Sequence, residues 1–141
     1  KRIKVYGKIL DNNCNPITNA VLDIWQANSF GKYNHQADLS GSRKDNDFYG
    51  YMRLLSNEKG EYNFYTILPG SYKVSKDFTR TPHIHFKVTS KQKQLTTQMY
   101  FKGNKMNKKD FLLKSTHNNS ALEAIIDKNF SNLTYKFDII I

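Results

Sequence analysis

Two histidines separated by one residue are the clearest chemical signal in the sequence. They are His83 and His85, in the stretch RTPHIHF at residues 80–86. In a strand, side chains alternate between the two faces, so both imidazoles would point one way and Ile84 the other. Two imidazoles on one face can hold a metal ion, and imidazole suits iron, copper, nickel and zinc alike. The spacing alone is equally compatible with two polar residues of a half-buried strand.

Short apolar segments separated by turn residues surround this pair. They predict strands over residues 2–10, 20–25, 51–56, 61–67, 82–89, 95–101 and 133–141, with a hairpin turn at residues 57–60. Residues 106–114 and 120–128 are expected to form one or two short helices. The polar stretch 26–50 is long for a loop, and its aromatic residues favour a packed, functional loop. Without any alternation of strands and helices, this pattern predicts an all-β fold, an antiparallel β-sandwich.

Composition narrows the class of partner. The formal net charge is +10, but the lysines are scattered through turns and one segment near residues 102–114. A nucleic-acid surface usually shows clustered basic residues with interleaved aromatics, so we expect no nucleic-acid partner. The charge would instead attract small anions, including an anionic substrate. No apolar run approaches a membrane-spanning length, so we expect no membrane partner either.

The compartment is left open by the sequence. The lone Cys14 excludes an internal disulfide and does not distinguish an oxidising from a reducing compartment. The chain begins at Lys1, so one expectation is that a leader or an N-terminal extension precedes this residue in the full protein. A soluble protein in the cytoplasm and an exported one are therefore both compatible with the sequence.

Four stretches together resemble a known family. They are GKILDNNCNPITNAVLDIWQANSFGKYNH, NEKGEYNFYTILPGSY, RTPHIHF and LTTQMYF, and they lie between Gly7 and Phe101. In this order they resemble the catalytic core of the intradiol ring-cleavage dioxygenases, most closely the protocatechuate 3,4-dioxygenase β-chain type. The resemblance implies that residues 1–141 form a single catalytic domain. It also implies that the β-sandwich is prealbumin-like, with long active-site loops.

The resemblance further implies a metal site. The family holds a non-haem Fe(III) ion with two tyrosines and two histidines, which correspond here to Tyr33, Tyr72, His83 and His85. Phenolate is a hard, strongly donating oxygen ligand, so two of them favour Fe(III) over Fe(II). Unperturbed tyrosine has a pKa of about 10, and binding as phenolate at neutral pH therefore needs the charge of the ion.

Three residues are implied to act on the substrate. Arg80 matches a family arginine that lies over the bound ring, where its fixed charge can stabilise developing negative charge. Gln98 matches a glutamine near the iron, whose amide can orient a ligand or an intermediate. Tyr72 is implied to leave the metal and to take a proton from the incoming catechol. Trp25 is expected to be structural and to brace the loop that carries Tyr33.

The implied reaction uses a catechol-type substrate and O2. The aromatic ring is cleaved between its two hydroxylated carbons to give a cis,cis-muconate. The segment between Tyr72 and Arg80 is shorter than in the β-chains, which leads to the hypothesis of a small, open substrate pocket. The preferred catechol is left open, and so is assembly into a homo-oligomer.

Three other interpretations remain. A non-catalytic transthyretin-like β-sandwich binding module shares the opening pattern G-x-I-x-D…P-I-x-N-A-V-L-x-I without any metal. Such a chain would be expected to lose at least one of the four ligand residues, and all four are present. A non-catalytic metal or nucleic-acid binder is suggested only by the charge, and salt-sensitive binding to generic DNA or RNA would support it. A degenerate family member would bind iron but turn over poorly.

Overall fold

The computed structural model describes residues 1–38 and 41–141, and it is almost entirely made of strands and turns. The predicted loop over residues 26–50 includes Leu39 and Ser40, which lie outside the described residues. The strands are β1 (Arg2–Leu10), β2 (Val21–Gln26), β3 (Tyr51–Leu55), β4 (Glu61–Ile67), β5 (Tyr72–Lys73), β6 (Thr79–Arg80), β7 (His83–Thr89), β8 (Gln94–Phe101), β9 (Glu123–Ile126), β10 (Thr134–Lys136) and β11 (Ile139–Ile140).

Helices are few and short in the described residues. Two 3₁₀-helices span Lys105–Lys109 and Asn119–Leu122, and one α-helix, α1, spans Phe111–Lys114. The first predicted helix, residues 106–114, therefore corresponds to a 3₁₀-helix followed by α1. The second, residues 120–128, is wrong over most of its length because β9 lies there. In the described residues, no helix is long and apolar enough to cross a membrane.

Nine strands of the described chain form one mixed, nearly closed, barrel-like sheet. β1 pairs with β4 on one side and with β10 and β11 on the other. From β10 the order continues through β9, β8, β7 and β2 to β3, while β5 and β6 form a separate pair. Most pairs are antiparallel, but β8 with β9, β1 with β10 and β1 with β11 are parallel. The predicted antiparallel, prealbumin-like β-sandwich is therefore wrong.

The connection before β9 explains the parallel pairing. Parallel neighbours need a crossover of a dozen or more residues, and residues 102–122 with their three short helices supply it between β8 and β9. The predicted hairpin at residues 57–60 is also wrong. β3 pairs with β2 and β4 pairs with β1, so this turn carries the chain between the two edges of the sheet.

β7 is an interior strand of this sheet. It lies between β2 and β8, and its Ile84, Phe86 and Val88 are fully buried in the core. Burying each large apolar side chain contributes about 1.5–3 kcal/mol, which fixes the register of the strand. Because side chains alternate, the opposite face presents His83 and His85. The predicted histidine strand is confirmed, and its anchored backbone is the base of the candidate site.

Candidate functional site

The two imidazoles of β7 converge through their Nε2 atoms. The Nδ1–H of His83 donates to the carbonyl oxygen of Thr81 at 2.7 Å, which leaves Nε2 as the unprotonated nitrogen. His83 Nε2 and His85 Nε2 lie 3.1 Å apart. Burial, opposed in part by the hydrogen bond to Thr81, lowers the pKa of His83 to about 4. Burial, His83 and the charge of Arg80 lower the pKa of His85 to about 3, so both rings are neutral at neutral pH.

Tyr33 reaches the imidazoles from the loop that follows β2. Its hydroxyl lies 2.9 Å from His85 Nε2 and 3.5 Å from His83 Nε2. Its backbone N–H donates to the Asp38 carboxylate at 2.7 Å, and the ammonium of Lys32 pairs with the same carboxylate at 3.2 Å. The Asp38 carboxylate, paired with Lys32, therefore holds the backbone of Tyr33 in place from within the same loop.

Tyr72 supplies the second phenol from β5. Its hydroxyl lies 3.5 Å from His83 Nε2, and its ring meets the ring of Tyr33 edge to face at 5.3 Å. Burial and the neighbouring Tyr72 raise the pKa of Tyr33 well above its ordinary value. A phenolate at this position therefore needs a cation beside it.

The segments that carry the tyrosines are locked together by two glycines. Gly31 has φ +78°, and a Cβ there would overlap the carbonyl oxygen of Ser71. A Cβ on Gly70 would lie 2.6 Å from the backbone nitrogen of Gly31. Only a residue without a side chain fits at either contact. The Gly70 N–H also donates to the carbonyl oxygen of Asn28 at 2.9 Å, so the positions of the two phenols are set jointly.

Arg80 and Gln98, both expected from the resemblance, lie in direct contact beside the imidazoles. Arg80 is only 4% exposed. Its Nε–H donates to the Asp110 carboxylate at 2.9 Å, and its Nη2 donates to Gln98 Oε1 at 2.6 Å and to the Tyr100 hydroxyl at 2.9 Å. The Tyr100 hydroxyl in turn donates to Gln98 Oε1 at 2.6 Å. We call Arg80, Gln98, Tyr100 and Asp110 the arginine network.

Tyr100, Asp110 and Trp25 also contact the site, although the sequence predicted none of these contacts. Tyr100 had a usable signal, since it lies two residues after Gln98 on β8 and therefore on the same face of the strand. Asp110 had none, because it lies in the crossover between β8 and β9. Trp25 was expected only to brace a loop, but its indole stacks on the His85 ring with centroids 4.9 Å apart and planes 2° from parallel.

A cavity of about 650 Å³ opens beside the phenols. Its lining residues include Tyr33, Tyr72, His85, Trp25 and Lys73. This volume is within the range of small-molecule sites, and the largely aromatic wall suits a planar ring. A small aromatic molecule in this cavity would lie against the phenols of Tyr33 and Tyr72 and the imidazole of His85.

The donor atoms are two phenol oxygens and two imidazole nitrogens. Within residues 1–38 and 41–141, no group of three or more His, Cys, Asp or Glu side chains could hold a metal ion. The set at this site differs because half of it is tyrosine. Two neutral imidazoles and two phenols fit a hard, highly charged ion such as Fe(III), which binds phenolate oxygen strongly.

Comparison with known proteins adds a family match to this geometry. The chain matches the model of a family described as Dioxygenase over residues 1–141. The protocatechuate 3,4-dioxygenase beta chain of Burkholderia cepacia is 32% identical over 152 residues, which cover 100% of this chain and 64% of that protein. The catechol 1,2-dioxygenase of Acinetobacter baylyi is 30% identical over 121 residues, which cover 76% of this chain and 38% of that protein.

A solved structure agrees with the fold over nearly the whole chain. The dioxygenase domain of a dioxygenase carbohydrate-binding protein fusion from Streptomyces sp. SirexAA-E superposes with a TM-score of 0.76 at 28% sequence identity. The superposition covers 99% of this chain and 79% of that domain. The chain spans less than two thirds of the length of both relatives named above.

Proposed function

We propose, since this chain belongs to the intradiol dioxygenase family, that it cleaves a catechol-type ring between its two hydroxylated carbons with O2 to give a cis,cis-muconate. One observation carries the proposal. The donor atoms of Tyr33, Tyr72, His83 and His85 converge beside a cavity large enough for a catechol. A metal-free binding module has no need to bring two phenols and two imidazoles together at one point.

The proposed cofactor is non-haem Fe(III), held by these four side chains. The family is generally dependent on non-haem iron, which supports the proposal. Both imidazoles are neutral, and that of His83 offers an unprotonated Nε2 atom. The phenol of Tyr33 requires a neighbouring cation to ionise, because burial raises its pKa. When bound, the ion supplies Lewis acidity toward the two catechol oxygens.

Side chains of the protein would transfer the proton, orient the ring and stabilise the negative charge that develops on the substrate. Tyr72, at the cavity wall, would be a phenolate while it holds the ion, and that phenolate oxygen would take one proton from the incoming catechol and become the phenol. Trp25 and the two tyrosines confine the ring to one orientation, which reduces the entropy cost of reaching the reactive geometry. Arg80 provides a fixed positive charge beside the imidazoles, where negative charge develops on the substrate.

The visible absorption spectrum of the purified protein tests this function. We expect a red-brown tyrosinate-to-Fe(III) charge-transfer band that shifts when a catechol is added without oxygen. Admitting O2 should then bleach the shifted band while a muconate accumulates. A protein that stays colourless after reconstitution with ferric iron would contradict the proposal, and a metal-free binding module would then be the better interpretation.

A further inference from the structure

Asp110 is the most completely buried acidic residue of the described chain. Its relative exposure is 0%, and it follows the first 3₁₀-helix at the start of α1. One carboxylate oxygen, Oδ2, accepts both the Nε–H of Arg80 and the backbone N–H of Thr81, each at 2.9 Å. The other, Oδ1, accepts the N–H of Leu113 at 3.1 Å and caps α1. Asp110 thus connects α1, in the crossover, to Arg80 and Thr81, which directly precede the histidine strand β7.

The hydrogen bonds of Arg80 leave one edge of its guanidinium unused. Arginine has five N–H donors in a rigid plane, one on Nε and two on each Nη. The Nε–H goes to Asp110, and the two donors of Nη2 go to Gln98 and Tyr100. Nη1 has no partner among the described residues. Since no side-chain nitrogen in the described chain is both sealed from solvent and unpaired, Nη1 keeps access to solvent.

The geometry points to Asp110 as the positioning residue for Arg80 in ring cleavage, an inference that rests on the proposed function. The Asp110 carboxylate, Gln98 and Tyr100 together take three donors of the guanidinium and leave Nη1 as the one nitrogen free to meet negative charge on a substrate bound at the imidazoles. Holding the donor in place before the substrate arrives makes its charge available without reorganisation. Asp110 itself touches no reacting atom, so its whole effect on the reaction must pass through Arg80.

A double-mutant cycle on kcat/KM tests this dependence. Asp110→Asn is expected to lower kcat/KM for catechol about tenfold or more, mainly through kcat, because the lost interaction is made to the transition state. In an Arg80→Gln background the same change should alter kcat/KM less than twofold, because the group it positions is gone. Equal fold-losses in both backgrounds would overturn the inference, since they would mean that Asp110 acts through the fold.

Two further variants keep the test informative if Asp110→Asn folds poorly. Tyr100→Phe removes one contact to Nη2 without unpairing a buried charge. It should lower kcat/KM less than Asp110→Asn does, and this loss should also vanish in the Arg80→Gln background. Asp127→Asn is the matched acid-to-amide control. Its carboxylate accepts the Tyr6 hydroxyl and has no contact with the arginine network, so kcat/KM should stay within twofold. A Tyr100→Phe loss that persists without the arginine would contradict the inference.

A readout independent of turnover separates this inference from the proposed function. With Ga(III) supplied in place of paramagnetic iron, the Arg80 Nε–H signal in the ¹⁵N NMR spectrum should exchange with water far more slowly than that of exposed Arg2. Asp110→Asn should abolish this protection. Exchange of Arg80 as fast as that of Arg2 would overturn the inference whether or not the protein cleaves catechols. Protected Arg80 with no ring cleavage would instead contradict the proposed function alone.

Discussion

The two halves of the candidate metal site are positioned by different means. His83 and His85 lie on β7, an interior strand with β2 and β8 on its two sides, and the core residues on its opposite face fix its register. Tyr33 and Tyr72 come from a loop and a two-residue strand. Their places depend on the contact between Gly31 and Gly70, where no side chain would fit.

This difference predicts how each half fails. On the strand, the backbone is held by ladder hydrogen bonds and core packing, so changing a histidine should remove chemistry and leave the fold. In the tyrosine segments, the backbone is held by close contacts between distant residues, so a change that adds no polar group and removes no ligand should still disturb the site.

The largest effect is expected from His83→Ala. Losing one imidazole should lower bound iron per chain more than tenfold and kcat/KM at least about a thousandfold, because the donor and its orienting contact to Thr81 go together. Iron analysis and ring-cleavage assays measure this. Ile84→Val is the matched control on the opposite face of β7. It should cost about 0.5–1.5 kcal/mol of stability and leave iron content unchanged. Full iron content in His83→Ala would refute its assignment as a ligand.

A glycine pair tests the tyrosine half next. Gly31 and Gly103 have nearly equal φ values, +78° and +83°, but only Gly31 has a backbone oxygen where a Cβ would go. Each Ala variant should lose about 1 kcal/mol from the left-handed conformation. Gly31→Ala should lose a further ~1–3 kcal/mol from overpacking and about tenfold in kcat/KM, with a weaker tyrosinate band.

Denaturant unfolding and the visible spectrum distinguish these two glycine variants. Gly103→Ala should keep the band and the activity of the unmodified protein, since nothing lies within 4 Å of its added Cβ. If both variants lost activity equally, contact between the tyrosine segments would not be what positions the phenols.

Trp25→Phe is expected to have a moderate effect at the junction of the two halves. The indole stacks on His85 and also lines the cavity beside the tyrosines. An aromatic pair of this kind is worth about 0.5–1.5 kcal/mol beyond its buried area, so kcat/KM should fall about two- to tenfold with iron still bound. Trp25→Ala should give a larger fall. Loss of iron in Trp25→Phe would mean that the stacking positions the His85 imidazole for the metal rather than the substrate ring.

The smallest effect is expected in the pH dependence of stability, through the buried carboxylate of Asp110. Burial alone would raise the pKa of Asp110, but the Thr81 N–H, the Arg80 guanidinium and the Leu113 N–H together hold it below its ordinary value. A depressed pKa in the folded state contributes stability that is fully present above the unfolded value of about 3.9 and is lost as the pH falls through the folded value. The protein should therefore lose stability more steeply below pH 4 than Asp110→Asn does. Parallel unfolding curves across that range would contradict this.

Local pattern was enough to predict that the two imidazoles lie on one face of a strand. Alternation within RTPHIHF predicted that both imidazoles share one face, and an Nε2–Nε2 distance of 3.1 Å agrees with it. The resemblance selected Tyr33 and Tyr72, which the structure brings within 3.5 Å of those nitrogens. Alternation succeeds on β7 because one fully apolar face leaves a single acceptable register.

Other features were decided only when distant segments met. The parallel pairing of β9, β10 and β11 depends on where a long crossover delivers the chain, and hydrophobic alternation is the same for parallel and antiparallel partners. Asp110 had no distinguishing neighbours in the sequence, and only the folded crossover brings it to Arg80. By itself the sequence determined which residues could share a strand face. The tertiary structure decided which strands pair and which carboxylate pairs with Arg80, because both depend on contacts between residues far apart in the chain.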